Sequence, residues 1–261
     1  MPLVRKALHK HKIRHYGWIP DLPDARDQMY AAPMPAAALP PSVDLRPQCP
    51  VIYDQGQLGS CTGNAIAAAV QFERMKQKLA ANFVPSRLFI YYNERVIEGT
   101  VSTDSGAQIR DGIKVVANQG VPPETDWPYD ISKFARQPPK SAYDDALNDR
   151  AVQYQRVAQN LTQFKGCIAS GYPFVFGFSV YDSFESDQVA QTGIVPMPSP
   201  EETVLGGHAV MAVGYDDRQQ RFIVRNSWGE TWGKGYFTMP YAYLTDQHLA
   251  SDFWTIRLVQ A

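Results

Sequence analysis

The apolar pattern of this chain changes near its middle, from helical spacing to short β-rich runs. Before that point the spacing predicts one helix that begins at Cys61 and two more over residues 86–97 and 109–118. Beyond it, only residues 161–170 have helical spacing. Six runs are rich in β-branched and aromatic residues: 152–157, 174–180, 208–215, 221–225, 236–239 and 253–259. A helical half (about 41–148) followed by a β-rich half (about 149–261) predicts an α+β fold with a cleft between the halves.

The first forty residues differ in composition from the rest, which places a domain boundary near residue 40. They begin with basic residues that we expect to form a solvated tail: Arg5, Lys6, Lys10, Lys12 and Arg14. An Ala/Pro-rich run at 31–38 is typical of an exposed linker. Between them, Tyr16-Gly17-Trp18-Ile19-Pro20 is an aromatic and apolar patch in a tail that has no other reason to bury side chains.

Charge and composition argue against several classes of protein. The 261 residues include 25 basic and 26 acidic side chains, so no net field recruits nucleic acid or a membrane. No apolar run reaches the length of about 18 residues that spans a bilayer. Three cysteines are too few for a disulfide-stapled secreted scaffold. No apolar core follows the basic N-terminal residues, so they do not form a secretory signal, and the sequence leaves the compartment undecided between the cytoplasm and secretion by another route.

No cofactor or metal is expected from the sequence, because no metal-ligand spacing is present. The histidines outside the motifs described next lack any pattern of partners, and we expect them to be exposed: His9, His11, His15 and His248.

Three short motifs carry side chains that suit nucleophilic catalysis. They are Gln55-Gly56-Gln57-Leu58-Gly59-Ser60-Cys61, Gly207-His208-Ala209-Val210 and Arg225-Asn226-Ser227-Trp228-Gly229. Cys61 lies at the start of a predicted helix with Ser60 as its N-cap, where unpaired N–H groups and the helix dipole favour a thiolate. His208 is a base that can take the thiol proton, which predicts a thiolate–imidazolium pair.

Each motif alone has a simpler structural explanation. A lone Cys in an apolar setting is usually a small buried residue, and a His within a strand is usually a core residue with satisfied hydrogen bonds. Asn226 and Trp228 on their own could simply close a turn. The whole set favours catalysis because His208 follows Cys61 by 147 residues and Asn226 follows His208 by 18.

Together the motifs resemble the catalytic set of the papain family of cysteine peptidases, in a bacterial branch of that family. The likeness extends from about Pro40 to the C-terminus and includes residues 41–46, 127–129, 206–216 and 227–233. It implies a two-domain fold, with a helical left domain, a β-barrel right domain and the active-site cleft between them. It also implies a peptidase that needs no cofactor.

The resemblance implies a role for each residue of the set. Cys61 is the nucleophile and His208 the base, Asn226 orients His208, and Trp228 keeps water from their hydrogen bond. The side-chain amide of Gln55 and the backbone N–H of Cys61 form the oxyanion hole. The reaction implied is endopeptidase hydrolysis of a peptide bond through a thioester on Cys61.

Rough alignment with the family also implies where a substrate binds. The chain at Ser105, Gly106 and Ala107 offers a backbone edge to an extended substrate. The pocket for a substrate side chain is lined by Gly177, Ala209 and either Ser251 or Asp252. An acid in that pocket would favour basic side chains and a serine would not.

The chain departs from the family pattern at several positions. Thr62 follows the nucleophile where relatives carry Trp, and Leu58 stands where many carry a disulfide cysteine, so that family disulfide is absent. We expect Cys49 and Cys167 to be free thiols, with a disulfide across the two halves as the alternative. The first forty residues lack the long helical prosegment of plant and animal relatives.

Because similar enzymes are made as zymogens, we expect residues 1–40 to be a short inhibitory propeptide in the cleft. The alternative is a docking element that completes a surface groove. Two other functions use the same fold: a catalytically silent papain-like binding protein, against which the retained catalytic set argues, and another thiol acyl-transfer enzyme (amidase, ligase or deubiquitinase-like). The expected partners are polypeptide substrates and the chain's own N-terminal segment, with no nucleic acid and no membrane span.

Overall fold

The structure is a computed structural model that describes residues 16–33, 35–79 and 82–260. The basic stretch at 5–14 and the predictions for His9, His11 and His15 fall outside these residues. The described helices are α1 Cys61–Lys76, α2 Arg87–Glu98, α3 Ile109–Asn118, α4 Lys140–Ala146, α5 Leu161–Ala169, α6 Asp187–Thr192 and α7 Tyr241–Thr245. The described strands are β1 Trp18–Ile19, β2 Met29–Tyr30, β3 Ser42–Asp44, β4 Ala107–Gln108, β5 Arg150–Val157, β6 Phe174–Tyr181, β7 Val204–Asp216, β8 Arg221–Arg225, β9 Tyr236–Pro240 and β10 Ala250–Gln260.

Six strands of the second half and two short strands from the first 44 residues form one eight-stranded sheet. Its order is β2-β5-β10-β6-β7-β8-β9, and β3 pairs with β7. Apolar and polar residues alternate less regularly along these strands than in a sheet with one face in water, because helices cover much of this sheet. The register sets Gly177 of β6 opposite both Ala209 of β7 and Ser251 of β10. Three central strands therefore bring the predicted pocket residues into one row.

Helix α1 lies between the sheet and the other helices, and its composition explains why it can be buried on all sides. It is rich in alanine, and it is buried from Cys61 to Arg74. Gly63 permits close packing of α2, because a Cβ there would come 2.8 Å from the carbonyl oxygen of Arg87. The first residue of α1 thereby lies beside β7, the strand that carries His208.

Ser60 is at the predicted N-cap position of α1, but its side chain does not make the hydrogen bond expected of an N-cap serine. Its Oγ lies 2.5 Å from the Tyr129 hydroxyl and accepts a hydrogen bond from Asn64 Nδ2 at 3.1 Å. The hydroxyl therefore ties the start of α1 to the loop at Tyr129 instead of satisfying the helix terminus.

Residues 16–33 contact both halves of the molecule through two short strands. Strand β1 pairs in parallel with β4 of the helical half, and β2 pairs in parallel with β5 of the sheet. Trp18 and Tyr30 are buried. Sequence analysis finds no strand here, because two-residue strands have no periodicity to detect.

The predicted α+β class is confirmed, since the large sheet follows a mainly helical half. The predicted helix at 109–118 matches α3, and the predicted helix at 86–97 lies one residue before α2, whose N-cap is Ser86. All six β-rich runs lie within strands. The expectation of a single helix in the second half is wrong, because the short helices α6 and α7 also lie there. Both have fewer than seven residues, too few for a helical period to be evident.

Candidate active site

Cys61 is the first residue of α1 and is fully buried. Burial raises the pKa of the Cys61 thiol to about 12, although hydrogen bonds from the backbone N–H groups of Ala209, Gly17 and Thr62 act in the opposite direction. The sequence predicts a lowered pKa from the helix terminus and His208. The difference arises because Gly17 lies against the sulfur and helps to exclude water, so the thiol is neutral in this covered state.

The orientation and the tautomer of His208 follow from two hydrogen bonds to one oxygen. The backbone N–H of Ser227 donates to Asn226 Oδ1 at 2.9 Å, which identifies that atom as the acceptor end of the amide. His208 Nε2 lies 2.9 Å from the same oxygen. Nε2 therefore carries a proton, so Nδ1 is the nitrogen that holds the lone pair whenever the imidazole is neutral. Ala209, the next residue, places its N–H on the sulfur of Cys61, so base and nucleophile are neighbours.

Aromatic side chains enclose the hydrogen bond between His208 and Asn226. Trp228 stacks on the imidazole with 4.9 Å between ring centroids, and Phe178 and Phe184 meet it edge-on at 5.8 and 6.5 Å. All three are buried. A hydrogen bond in such low-dielectric surroundings is stronger than one in water, so the ring is held firmly.

The side chain of Gln55 is held with its amide nitrogen toward the start of α1. Its Oε1 accepts a hydrogen bond from Ser227 Oγ at 2.7 Å, and its Nε2 donates to the carbonyl of Leu58 at 2.9 Å. An amide nitrogen carries two hydrogens, so a second one is available to an oxyanion formed at Cys61. Ser227 therefore fixes which end of the amide faces the reacting centre.

We expect the substitution Ser227→Ala to lower kcat by about tenfold, a fraction of the 10²–10³ that loss of a whole oxyanion donor costs. Without the hydroxyl, the Gln55 amide can rotate and present its oxygen to the oxyanion. KM should change little, since the lost interaction acts in the transition state. Steady-state kinetics beside Gln55→Ala check this. A Ser227→Ala enzyme with unchanged kcat would show that the other contacts of Gln55 suffice.

The N-terminal segment covers the nucleophile at Gly17. The carbonyl of Gly17 accepts a hydrogen bond from Ala107 N at 2.8 Å, and its own N–H reaches the Cys61 sulfur. A Cβ on Gly17 would overlap the carbonyl oxygen of Gly59, and a Cβ on Gly106 would overlap the carbonyl of Gly17. Only glycines allow the two backbones to approach this closely.

Trp18 fills the pocket whose lining residues the sequence predicts. Its indole ring occupies the space where a Cβ of Gly177 would be, and a Cβ on Gly207 would come 2.6 Å from the same side chain. The indole N–H donates to Asp252 Oδ2 at 3.2 Å. A bulge in β10 between Ser251 and Trp254 holds Asp252 at φ 60°, a left-handed conformation that Asp tolerates better than most residues.

Ion pairs anchor the segment beyond Trp18. Arg110 pairs with Asp27, and Arg156 bridges Asp27 and Asp252 at 3.1 and 3.0 Å. Asp21 accepts hydrogen bonds from Arg110 N at 3.0 Å and Trp254 Nε1 at 2.9 Å, and its own N–H donates to Asp252 at 2.8 Å. The cluster therefore holds three carboxylates against two guanidinium groups.

The structure brings most of the predicted site residues together. Cys61, His208, Asn226, Trp228 and Gln55 form one connected group, and Gly106 and Ala107 lie along the chain at Gly17. Gly177 and Asp252 both contact Trp18. Ala209 and Ser251 lie in the strands on either side and pair with Gly177. The hydroxyl of Ser105 points elsewhere, donating to Thr100 Oγ1 at 2.9 Å.

Several contributing residues escape the sequence analysis. Asp104 binds the Gly59 N–H and the Tyr91 hydroxyl, and so holds the two glycine-bearing loops together. Arg156 and Glu185 contact the N-terminal segment. None of these residues belongs to a motif. The only hint in the sequence is the row of acidic residues within 21–27, which indicates that this part of the segment needs basic partners. Cys49 and Cys167 are free and lie outside the site, and His248 is exposed.

Among the described residues, no group of three or more His, Cys, Asp or Glu side chains could hold a metal ion. Within the same part of the chain, no helix is long and apolar enough to cross a membrane.

Comparison with known proteins agrees with this geometry. The model of the papain family cysteine proteases matches residues 39–252. The crystal structure of xylellain, a cysteine protease from Xylella fastidiosa, is 48% identical with a TM-score of 0.88, covering 96% of this chain and 98% of that one. A peptidase C1-like protein of Acanthamoeba polyphaga mimivirus is 45% identical over 94% of this chain and 88% of its own length. ProCathepsin B from Trypanosoma congolense, at 18% identity and TM-score 0.72, shares the fold over 90% of this chain and 84% of its own.

The family match spans most of the chain and includes the segments that carry Cys61, His208, Asn226 and Gln55. The neighbour at 48% identity is similar over nearly its whole length. A thiol at a helix terminus, a histidine oriented by an amide and the matched family thus agree: this chain belongs to the papain family of cysteine peptidases.

Proposed function

We propose that this peptidase is an endopeptidase that acts through a Cys61–His208 pair and is held inactive by its own N-terminal segment. The observation that carries the proposal is the position of Gly17, whose N–H meets the Cys61 sulfur. The sulfur is met by an N–H and not by a carbonyl carbon, which is the atom it has to approach for attack, so we expect the segment to occupy the site without being cleaved there.

Catalysis begins when the segment leaves the cleft. Water then reaches Cys61, so the burial that raises the thiol pKa is relieved, and the terminus of α1 favours the thiolate. His208 Nδ1 takes the thiol proton, which leaves an imidazolium whose Nε2–H remains on Asn226. The oriented imidazole needs no rearrangement to do this.

The chemistry then follows two acyl-transfer steps. The Cys61 thiolate attacks the scissile carbonyl carbon, and the oxygen accepts hydrogen bonds from Gln55 Nε2 and the Cys61 N–H. The imidazolium of His208 gives its proton to the departing amine as the C–N bond breaks, leaving a thioester. A water molecule attacks the thioester carbon while His208 takes a proton from that water. The C–S bond then breaks, which releases the acid product and regenerates the thiol of Cys61.

The N-terminal segment suits an inhibitory role because it uses substrate-like contacts. It adds a strand to β4, places an indole in the pocket at Asp252 and covers the sulfur between them. The same pocket supports a preference for a basic substrate side chain, because Asp252 is buried and, within the described part of the chain, pairs with a single guanidinium group, that of Arg156. Loss of the segment would leave Asp252 without two of its hydrogen bonds.

Labelling with an epoxide selective for papain-like thiols tests the proposed function. We expect Cys61 of the full chain to be labelled slowly, and we expect labelling and peptidase activity to be lost together in Cys61→Ala. The matched control is Cys49→Ala, which removes another free thiol and should change neither. Intact mass and peptide mapping identify the labelled residue. A Cys61→Ala chain that still cleaves peptides would refute the mechanism.

A further inference from the structure

We infer that Glu185 selects a basic residue immediately after the scissile bond of the substrate. This inference rests on the proposed function, which places the acyl half of a substrate along β4 and the Asp252 pocket. The half that departs as the amine must then lie on the other side of Cys61. Tyr16 occupies that side in the structure, so its contacts identify the surface that this half of a substrate would meet.

The position of Tyr16 is defined by three contacts beside the catalytic base. Its ring meets the imidazole of His208 edge-on, with 6.4 Å between centroids. A Cβ on Gly206 would come 2.6 Å from its Cβ, so the absence of a side chain at Gly206 leaves the space that Tyr16 fills. Its hydroxyl donates to the carboxylate of Glu185. A residue following the scissile bond has to occupy this same space, because His208 must reach the departing nitrogen.

The stretch of chain that carries Glu185 is acidic. Residues 182–202 contain five carboxylates and no Lys or Arg: Asp182, Glu185, Asp187, Glu201 and Glu202. Within this stretch, Glu202 accepts the N–H groups of Ser183 and Ser199, and Asp182 accepts that of Thr203. Glu185 accepts the hydroxyl of Tyr16, whose ring lies beside His208.

Departure of the segment takes the Tyr16 hydroxyl away from Glu185. The half-buried carboxylate then faces the space vacated by Tyr16, and a guanidinium or ammonium group there would restore a charge-assisted hydrogen bond. A carboxylate in the substrate would be repelled. For a partly exposed pair we expect a preference of about fivefold to tenfold for Arg over Gln, decreasing with added salt.

Internal competition between two peptides tests the inference in the full chain. Both peptides share one acyl half ending in Arg-Gly, and they differ only in Arg or Gln as the first residue of the departing half. Mixed in one tube, they give a ratio of kcat/KM that does not depend on how much of the enzyme has its segment out of the cleft. Mass spectrometry of the products verifies the cleaved bond. We expect a ratio of about five to ten for the wild type and near one for Glu185→Gln.

Asp187→Asn is the matched control, because it removes the same charge two residues away from an exposed position. It should keep most of the preference. A ratio that Glu185→Gln leaves unchanged, or that Asp187→Asn lowers equally, would overturn the assignment to Glu185. Cleavage of both peptides at equal rates by the wild type would overturn the preference itself while the proposed function stands. Cleavage of neither by any variant, under conditions in which the epoxide labels Cys61, would instead refute the proposed function and this inference with it.

Discussion

Replacing Gly17 with alanine is expected to raise the peptidase activity of the full chain by about fivefold to 150-fold. The added methyl would overlap the carbonyl oxygen of Gly59, a backbone atom that cannot move aside without shifting the loop before Cys61. Overpacking of this kind costs about 1–3 kcal/mol, and here the whole cost falls on the docked state, which it therefore depopulates. The catalytic residues themselves are unchanged. Initial rates on a fluorogenic peptide measure the effect.

Two controls separate release of the segment from other consequences of the substitution. Leu22→Ala alters the same segment at a side chain that is 72% exposed, and it should leave the rate unchanged. The double variant Gly17→Ala/Cys61→Ala should be inactive, which assigns the gained activity to this thiol. Epoxide labelling of Cys61 should accelerate in parallel with peptidase activity. A Gly17→Ala chain no faster than the wild type would mean that Gly17 does not limit access to Cys61.

The candidate catalytic residues can be identified from the sequence because the proposed chemistry depends on residue type and order. Cys61 at a helix start, His208 in a strand and Asn226 before Trp228 form a recognisable set without knowledge of their distances. Helix α3 and the six strands are also predictable, since each repeats apolar residues over several periods. Both results rest on local information.

The contacts of the N-terminal segment are not predictable in the same way. Trp18 meets Asp252 across 234 residues and Tyr16 meets Glu185 across 169, and neither pair shares a motif. The strand at Trp18 has two residues, which no periodicity reveals. The pKa of Cys61 depends on the same segment: the sequence predicts a lowered value from the helix terminus, and burial beneath Gly17 raises it.

Docking of the segment is expected to strengthen as the pH falls, through Asp21. Burial, followed by the nearby charge of Asp252, raises the pKa of Asp21 to about 6 in the docked state, although hydrogen bonds from Arg110 and Trp254 oppose this. Released into water, Asp21 returns to its ordinary value of 3.8. The docked state therefore binds the proton more tightly. Its added stability is fully present below pH 3.8 and is lost as the pH rises through 6, a change of about 100-fold in the docking equilibrium.

The ratio of wild-type to Asp21→Asn activity, measured from pH 4 to 8, isolates this effect, because the asparagine cannot titrate and the ionisations at the active site are common to both chains. The ratio should fall toward acid by about 100-fold at most. The ratio of Asp24→Asn to Asp21→Asn activity should fall in the same way, since Asp24 pairs with Arg26 within the segment itself. A ratio that stays flat or rises toward acid would contradict the assignment to Asp21. The two guanidinium groups beside the buried Asp21, those of Arg110 and Arg156, also pair with Asp27 and Asp252. Asp21 therefore has too little positive charge to itself, which is why its protonation would retain the segment in acid.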